Sequence, residues 1–282
     1  MSYSLNKLYQ CVGISKQAVI QYVNRQALFD NNVSQLIVEA DILRKAHPGC
    51  GVEKMYDTLK PDFIGRDRFI DTFMDLGYRI KRQKNYRRTT YAGSIFYDNL
   101  IKGLKVSEPS TIWQSDITYI KVIDRFYYVV LIIDVYTKNI VGYSISNHMR
   151  ATANIAALNM ALKNHKAPQI HHSDRGSQYT SKDYIDLLVA SGTKISMGLT
   201  AQDNAYAERI NRTIKEEFID LWKPKDFKGL RKSVKKAIVY YNTKRPHRNL
   251  NKMSPTNFEK NWSTLNKKSK PIITIFNNEL LT

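Results

Sequence analysis

The chain has 282 residues, 43% of them hydrophobic, which suits two or three modest folded domains and excludes a disordered polymer. Lys and Arg number 44 against 25 Asp and Glu, a formal charge of +19 that calls for a polyanionic partner, nucleic acid first and an anionic membrane surface second. No apolar run is long enough for a membrane span and no basic amphipathic helix has a Trp/Leu face, MSYSLNKLYQ lacks the apolar segment of a secretory signal, and Cys11 and Cys50 stand apart without a CxxC context, so the reading is a reduced cytoplasmic protein with no zinc module.

Residues 4–27 read as helix, tight turn, helix. Leu5, Leu8, Tyr9 and Val12 recur at helical spacing, Gly13 supplies the turn, Ser15 is placed to cap, and Val19, Ile20 and Val23 form the second apolar face. The pattern fits a DNA-reading helix-turn-helix or an ordinary helical hairpin. Residues 33–46 predict a further amphipathic helix stopped by His47-Pro48-Gly49, and helical patterning continues over 51–59 and 65–77. YRIKRQKNYRRTT (78–90) is basic and dotted with aromatics, an arm suited to phosphates or a solvated loop.

At residue 111 the period changes. TIWQSDITYIKVI alternates as a strand, FYYVVLIIDVYT reads as a strand buried on both faces, and NIVGYSIS as a third, with turns short enough for hairpins. ATANIAALNMALKN is a helix ending before Pro168. QIHHSD is a short strand, SKDYIDLLVASG a helix with a Ser cap and Gly stop, and TKISMG a last strand. One long helix is expected from Asp203, as its N-cap, to about Leu221. Residues 227–242 predict another, and PIITIF an edge strand. The middle of the chain is therefore an α/β layer. It is nearly neutral, whereas residues 209–270 hold 18 basic and 5 acidic residues interleaved with Trp222, Tyr240, Tyr241 and Trp262.

IHHSDRGSQYTS (170–181) admits three chemistries. A Ser/His/Asp triad is disfavoured, because adjacent strand residues point to opposite faces and no GxSxG elbow is present. The same alternation separates His171 from His172 as metal ligands, so each reads as a core or supporting residue. Asp174 differs: it follows a strand and precedes Gly176, at the edge where α/β sheets bind ligands. Asp116 lies within a strand of Ile, Tyr and Val, a costly place for a carboxylate without a cation. Glu208 falls five residues after Asp203, free to point at the sheet. Three carboxylates at about 4 Å repel by roughly 4 kcal/mol per pair at an effective dielectric of 20. Hard divalent cations, Mg²⁺ or Mn²⁺, reverse that sign, and two of them suit an in-line phosphoryl displacement. Asp134 is the rival acid, with a turn-anchoring role as its plainer reading. Glu208, Arg212 and Lys215 share a helix face at i, i+4 and i+7, a layout for gripping DNA beside metals or for ordinary surface ion pairing.

WQSDITYI, LIIDVYTKNIVGYSIS, HSDRGSQYTS, DNAYAERINRTIKEE and YNTKRPHRNLNKMSPTNF, in this order, resemble the DDE transposases of bacterial insertion sequences, most closely the OrfB product of the IS-three family, related to retroviral integrases. The resemblance covers most of the chain. It implies an RNase H-like integrase core, a mixed sheet flanked by helices, behind an N-terminal helical DNA-binding region. The corresponding divisions are a helix-turn-helix-like segment (1–30), a helical DNA-binding domain (31–90), a linker (91–109), the catalytic core (110–222) and a basic helical and extended region (223–282).

By this resemblance Asp116, Asp174 and Glu208 match the catalytic and metal-holding triad, for two Mg²⁺ or Mn²⁺ ions, Lys215 matches the basic residue seven positions after the glutamate, and Asn204 belongs to a DNA box. Arg175, Arg212, Arg245, His247 and Arg248 are further expected DNA contacts. The implied activity is metal-dependent strand cleavage and strand transfer on the element's inverted-repeat ends and on target DNA, by a homo-oligomer on paired ends at the bacterial nucleoid, with an upstream-frame OrfA product as a further partner. The alternatives are a nuclease that cuts without joining and a non-catalytic end-binding protein. Two departures stand out: 33 residues separate Asp174 from Glu208 where about 35 are usual, and the chain begins without the family's upstream helix-turn-helix and leucine-zipper region.

Overall fold

The computed structural model describes residues 4–80 and 97–276. The chain divides into two compact units: Met1–Ala46 with Cys50–Ile80, and His47–Gly49 with Lys81–Thr282. Most of the basic arm expected at 78–90 lies outside the described residues.

The first unit is helical. In α1 (Leu5–Val12) the chain ends on Gly13, whose φ of 69° supplies the left-handed reversal expected of it. Ser15 Oγ then accepts the Ala18 N–H at 3.1 Å and opens α2 (Lys16–Ala46). The sequence reading splits this stretch into two helices. The structure runs through in one helix of 31 residues, because the intervening LFDNN contains no glycine or proline to stop it. The expected apolar stripes of α1 and early α2 are not core: Leu5, Leu8, Val12, Ile20 and Val23 are exposed, and burial begins only at Val33, Leu36, Ala40 and Leu43. Helices α3 (Val52–Leu59) and α4 (Arg66–Asp75) pack through Tyr56 on Phe69, at 5.4 Å between ring centroids.

The second unit is built on a five-stranded sheet. Its elements are β1 (Lys105–Val106), β2 (Ile112–Val122), β3 (Arg125–Asp134), β4 (Ile140–Ser146), α5 (Ala151–Asn164), β5 (Ile170–Ser173), α6 (Lys182–Ala190), β6 (Lys194–Met197), α7 (Ala205–Ile214), the single turn α8 (Asp220–Trp222), α9 (Phe227–Thr243), α10 (Pro255–Thr264) and β7 (Ile273–Thr274). The strand order is β4-β3-β2-β5-β6. Short turns join β2, β3 and β4 into antiparallel neighbours, whereas β5 and β6 add in parallel after helical crossovers. The predicted PIITIF strand forms, as β7, but pairs with β1 in a separate ribbon.

On one sheet face Trp113, Val130, Ile132 and Val141 pack with Ala153, Ala157 and Leu158 of α5 and Leu188 of α6. Helix α7 lies against β2 and β3. The single helix expected from Asp203 to Leu221 is instead a 3₁₀ turn (Ala201–Asn204), α7, a π turn (Lys215–Ile219) and α8. Asp203 is not the N-cap. Thr200 holds that position in a capping box, and the Asp203 carboxylate reaches back to the Leu199 and Thr200 N–H groups, each at 2.9 Å. No described helix is long and apolar enough to cross a membrane.

Candidate active site

Asp116 sits mid-way along β2, where the alternation of the strand turns its side chain towards α7. Asn211 of α7 donates Nδ2 to Asp116 Oδ2 at 2.8 Å, and the Ile117 N–H donates to Oδ1 at 2.9 Å. The carboxyl keeps some solvent contact but is closely ringed by protein. Burial first, then the charge of Asp174, push its pKa up to about 7; the Asn211 and Ile117 bonds oppose the rise, and Glu208 adds a smaller push. Asp116 therefore feels the charge of both Asp174 and Glu208.

The two residues before Asp116 position Glu208. Gln114 Oε1 accepts the Ala207 N–H at 3.2 Å, and Asn204 Nδ2 donates to the Ser115 carbonyl at 2.9 Å. These bonds tie the start of α7 to β2. Asn204 is 5% exposed and engaged there, a place that serves the geometry of the acids. Asp174 follows the last residue of β5, and its Oδ1 accepts the Gly176 N–H at 3.0 Å, which turns the chain away from the strand. Glu208 points outward, bonded to Arg212 at 2.7 Å with both side chains about half exposed. As placed, no group of three His, Cys, Asp or Glu among the described residues forms a ready metal cage. The donor set nonetheless fits a hard cation: it is all carboxylate, and the pKa of Asp116 is raised by burial and then by the charge of Asp174, which a cation would offset.

The other residues of IHHSDRGSQYTS support this centre. Burial lowers His171 to about 3 and His172 to about 4, so both rings are neutral at physiological pH. His171 Nε2 is 3.0 Å from Tyr184 Oη, and His172 Nδ1 is 2.8 Å from Ser196 Oγ. Tyr179 Oη meets Ser115 Oγ at 3.0 Å beneath the acids, its hydroxyl held far above the ordinary phenol range by burial and then by Asp174 and Asp116. Asp134, the rival acid, is 2% exposed and accepts the N–H groups of Ser110, Tyr136 and Thr137. It anchors the β3–β4 turn.

The expected DNA contacts separate into two groups. Arg175 is partly buried beside Asp174, Arg212 is engaged by Glu208, Lys215 Nζ lies 5.6 Å from the Tyr119 ring centroid, and Arg248 is exposed. Arg245, by contrast, is 8% exposed and grips both oxygens of Glu217 at 2.8 Å, with a guanidinium nitrogen 3.2 Å from the half-buried His247 ring. His47 completes the cluster: Nε2 is 2.7 Å from Glu217 Oε2, and the ring stacks on Phe218 at 4.5 Å. The sequence reading took His47-Pro48-Gly49 only as a helix stop and missed this contact with the π turn. Asn211 was missed as well, although its i+3 spacing from Glu208 places it on the same helix face.

A five-stranded mixed sheet with acids at a central strand, at the end of its parallel neighbour and on the helix that lies against the central strand is the arrangement of the integrase-type polynucleotidyl transferases. The integrase core domain family matches residues 106–202, and a second integrase core domain model matches 192–255. An uncharacterised 31 kDa protein of insertion element IS600 from Shigella sonnei is 31% identical over 207 residues, covering 71% of this chain and 76% of the relative. The transposase of IS904 from Lactococcus lactis is 35% identical over 185 residues, covering 64% and 72%, and transposase InsF of IS3A from Escherichia coli is 31% identical over 196 residues, covering 65% and 66%. Among solved structures, the catalytic core of HTLV-2 integrase in complex with magnesium aligns at TM-score 0.46 and 20% identity, over 57% of this chain and 99% of that one. The chain belongs to the IS-three family of insertion-sequence DDE transposases, and its function is that of a DNA transposase.

Proposed function

We propose that Asp116, Asp174 and Glu208 are the catalytic acids of a divalent-metal-dependent transposase that cleaves DNA at the ends of its element and joins the freed 3′-hydroxyl to a second phosphodiester. The observation that supports this best is the Asp116 carboxyl, held near neutrality by burial and by the charge of Asp174, with Glu208 adding to the push. Mg²⁺ or Mn²⁺, two ions per site, would be held by the three carboxylates; when bound they activate the attacking oxygen and stabilise the leaving one. Asn211 orients Asp116 by its 2.8 Å bond. Arg212 gives up Glu208 and, with Lys215, Arg175 and Arg248, neutralises DNA phosphates. Arg245 and His247 act from within the structure, by fixing Glu217.

The attacking group is water in cleavage and a DNA 3′-hydroxyl in joining, so no side chain serves as nucleophile. Pairing of two element ends implies a homo-oligomer, with an upstream-frame product as a further partner at the nucleoid. The test is strand joining of an end-containing duplex with Mg²⁺. Wild type should yield joined strands, and Asp174→Asn and Glu208→Gln should lose both nicking and joining. Equal activity of wild type and Asp174→Asn would overturn the assignment. Nicked DNA without joined product would favour the nuclease reading.

A further inference from the structure

The outer edge of the sheet is β4. At Ile140 that edge is occupied: Asn242 of α9 donates Nδ2 to the Ile140 carbonyl at 2.9 Å and accepts its N–H at 3.0 Å, as a neighbouring strand would. Further along, at Tyr143–Ile145, the edge opens into a groove of about 440 Å³. Ala156 and Met160 of α5 form one wall. Lys228, Arg231, Lys232 and Lys235 of α9 form the other. These cations recur at i, i+3, i+4 and i+7, so they share one helix face, and among the described residues no acid lines the groove.

The ladder ties this groove to the acids. Asp116 pairs with Leu131 across β2 and β3, and Leu131 pairs with Tyr143 across β3 and β4. Residues directly opposite in a ladder point to the same face. Tyr143 therefore shares the sheet face of Asp116, two strands and about 10 Å away.

We propose that the groove binds the phosphodiester backbone of a DNA strand passing the acids, a placement that rests on the polynucleotidyl transfer proposed above. The cations span about 10 Å along α9, matching about three successive phosphates of one strand. Tyr143 and Ser144 line the groove from opposite faces of β4 and bring hydroxyl groups to its two sides, and the outer side of β4 adds backbone N–H groups, the usual partners of phosphate oxygens. An acidic peptide added to the β4 edge is the rival occupant. It is disfavoured because Asn242 already fills the edge at Ile140 and leaves only a short ladder.

The test uses the full chain and a plain duplex without element ends, in the absence of divalent metal. With Lys228, Arg231, Lys232 and Lys235 all changed to Gln, log K against log salt should become shallower by about 2 to 3, with binding at least tenfold weaker at moderate salt. An unchanged slope overturns the proposal. Ala156→Trp fills the groove from α5 and keeps every charge; it should weaken binding at least threefold, and wild-type affinity would show the cations act only as a diffuse field and overturn the groove. A glutamate-rich peptide that binds wild type and resists displacement by duplex would also overturn it. Asp116→Asn should keep the full salt slope, so a failure of the catalytic assignment and a failure of the groove read out separately.

Discussion

The Gly49 N–H donates to the Glu217 carbonyl at 2.8 Å, and the two backbones are so close that a Cβ on residue 49 would lie 2.3 Å from Glu217 Cα. Only glycine allows this approach. The carbonyl it caps belongs to the π turn that follows α7, where the regular helical ladder is interrupted. Gly49→Ala is expected to cost about 2 kcal/mol, seen as a fall of several degrees in the melting midpoint. Gly51→Ala is the control, since nothing lies within 4 Å of its missing Cβ. Equal midpoints for the two variants would contradict the close approach.

The same π turn holds a second prediction. Glu217 is 15% exposed and Arg245 9%, and they make a two-pronged pair with His47 on the same carboxylate. Glu217→Gln leaves a buried guanidinium short of its counter-charge, a loss of about 3 kcal/mol. Glu53→Gln breaks a pair with Arg66 whose side chains are 61% and 45% exposed, and should leave the melting midpoint close to that of wild type. Thermal melts of both variants beside wild type check the ranking.

The sequence made the sheet legible because β2 alternates and β3 is an apolar run of strand length bounded by short turns, and Asp116 stood out because a carboxylate is costly inside such a strand. Three features were not legible. α2 is continuous because nothing in LFDNN stops a helix, so the split came from the fading of an apolar stripe that turns out to be exposed. The π turn depends on Gly49, 168 positions before Glu217, and local pattern carries no such information. The resemblance implies DNA contacts at Asn204 and Arg245, but their bonds to Ser115 and Glu217 are partnerships that only tertiary placement reveals.

Asn211 offers a way to move the Asp116 carboxyl without touching it. Its amide bond lowers the Asp116 pKa against the effects of burial and Asp174. Asn211→Ala removes a bond worth about 1 kcal/mol, so the carboxyl should rise by up to about one pH unit. The acid limb of the pH–rate profile for nicking should move upward by that amount, with the alkaline limb in place. A uniform loss of rate at every pH would instead mean that Asn211 serves only packing.

The raised Asp116 pKa also makes a stability prediction that separates the carboxyl from the metal. Its value is 3.8 in the reference state and about 7 in the fold, so between those limits the native state holds the extra proton. Native stability without metal must then fall as pH rises from about 4 to 7, and stay low above that. Asp116→Asn has no such proton to lose. At pH 8 without metal it should be more stable than wild type, by on the order of 1–3 kcal/mol once solvent contact of the carboxyl is allowed for, and the gap should close near pH 4. Mg²⁺ should raise the wild-type midpoint more at pH 8 than at pH 5.5, because ligation needs the deprotonated acid. The same Mg²⁺ should scarcely move Asp116→Asn. A wild type whose midpoint ignores Mg²⁺ at pH 8 would leave the three acids without the cation that their mutual repulsion calls for.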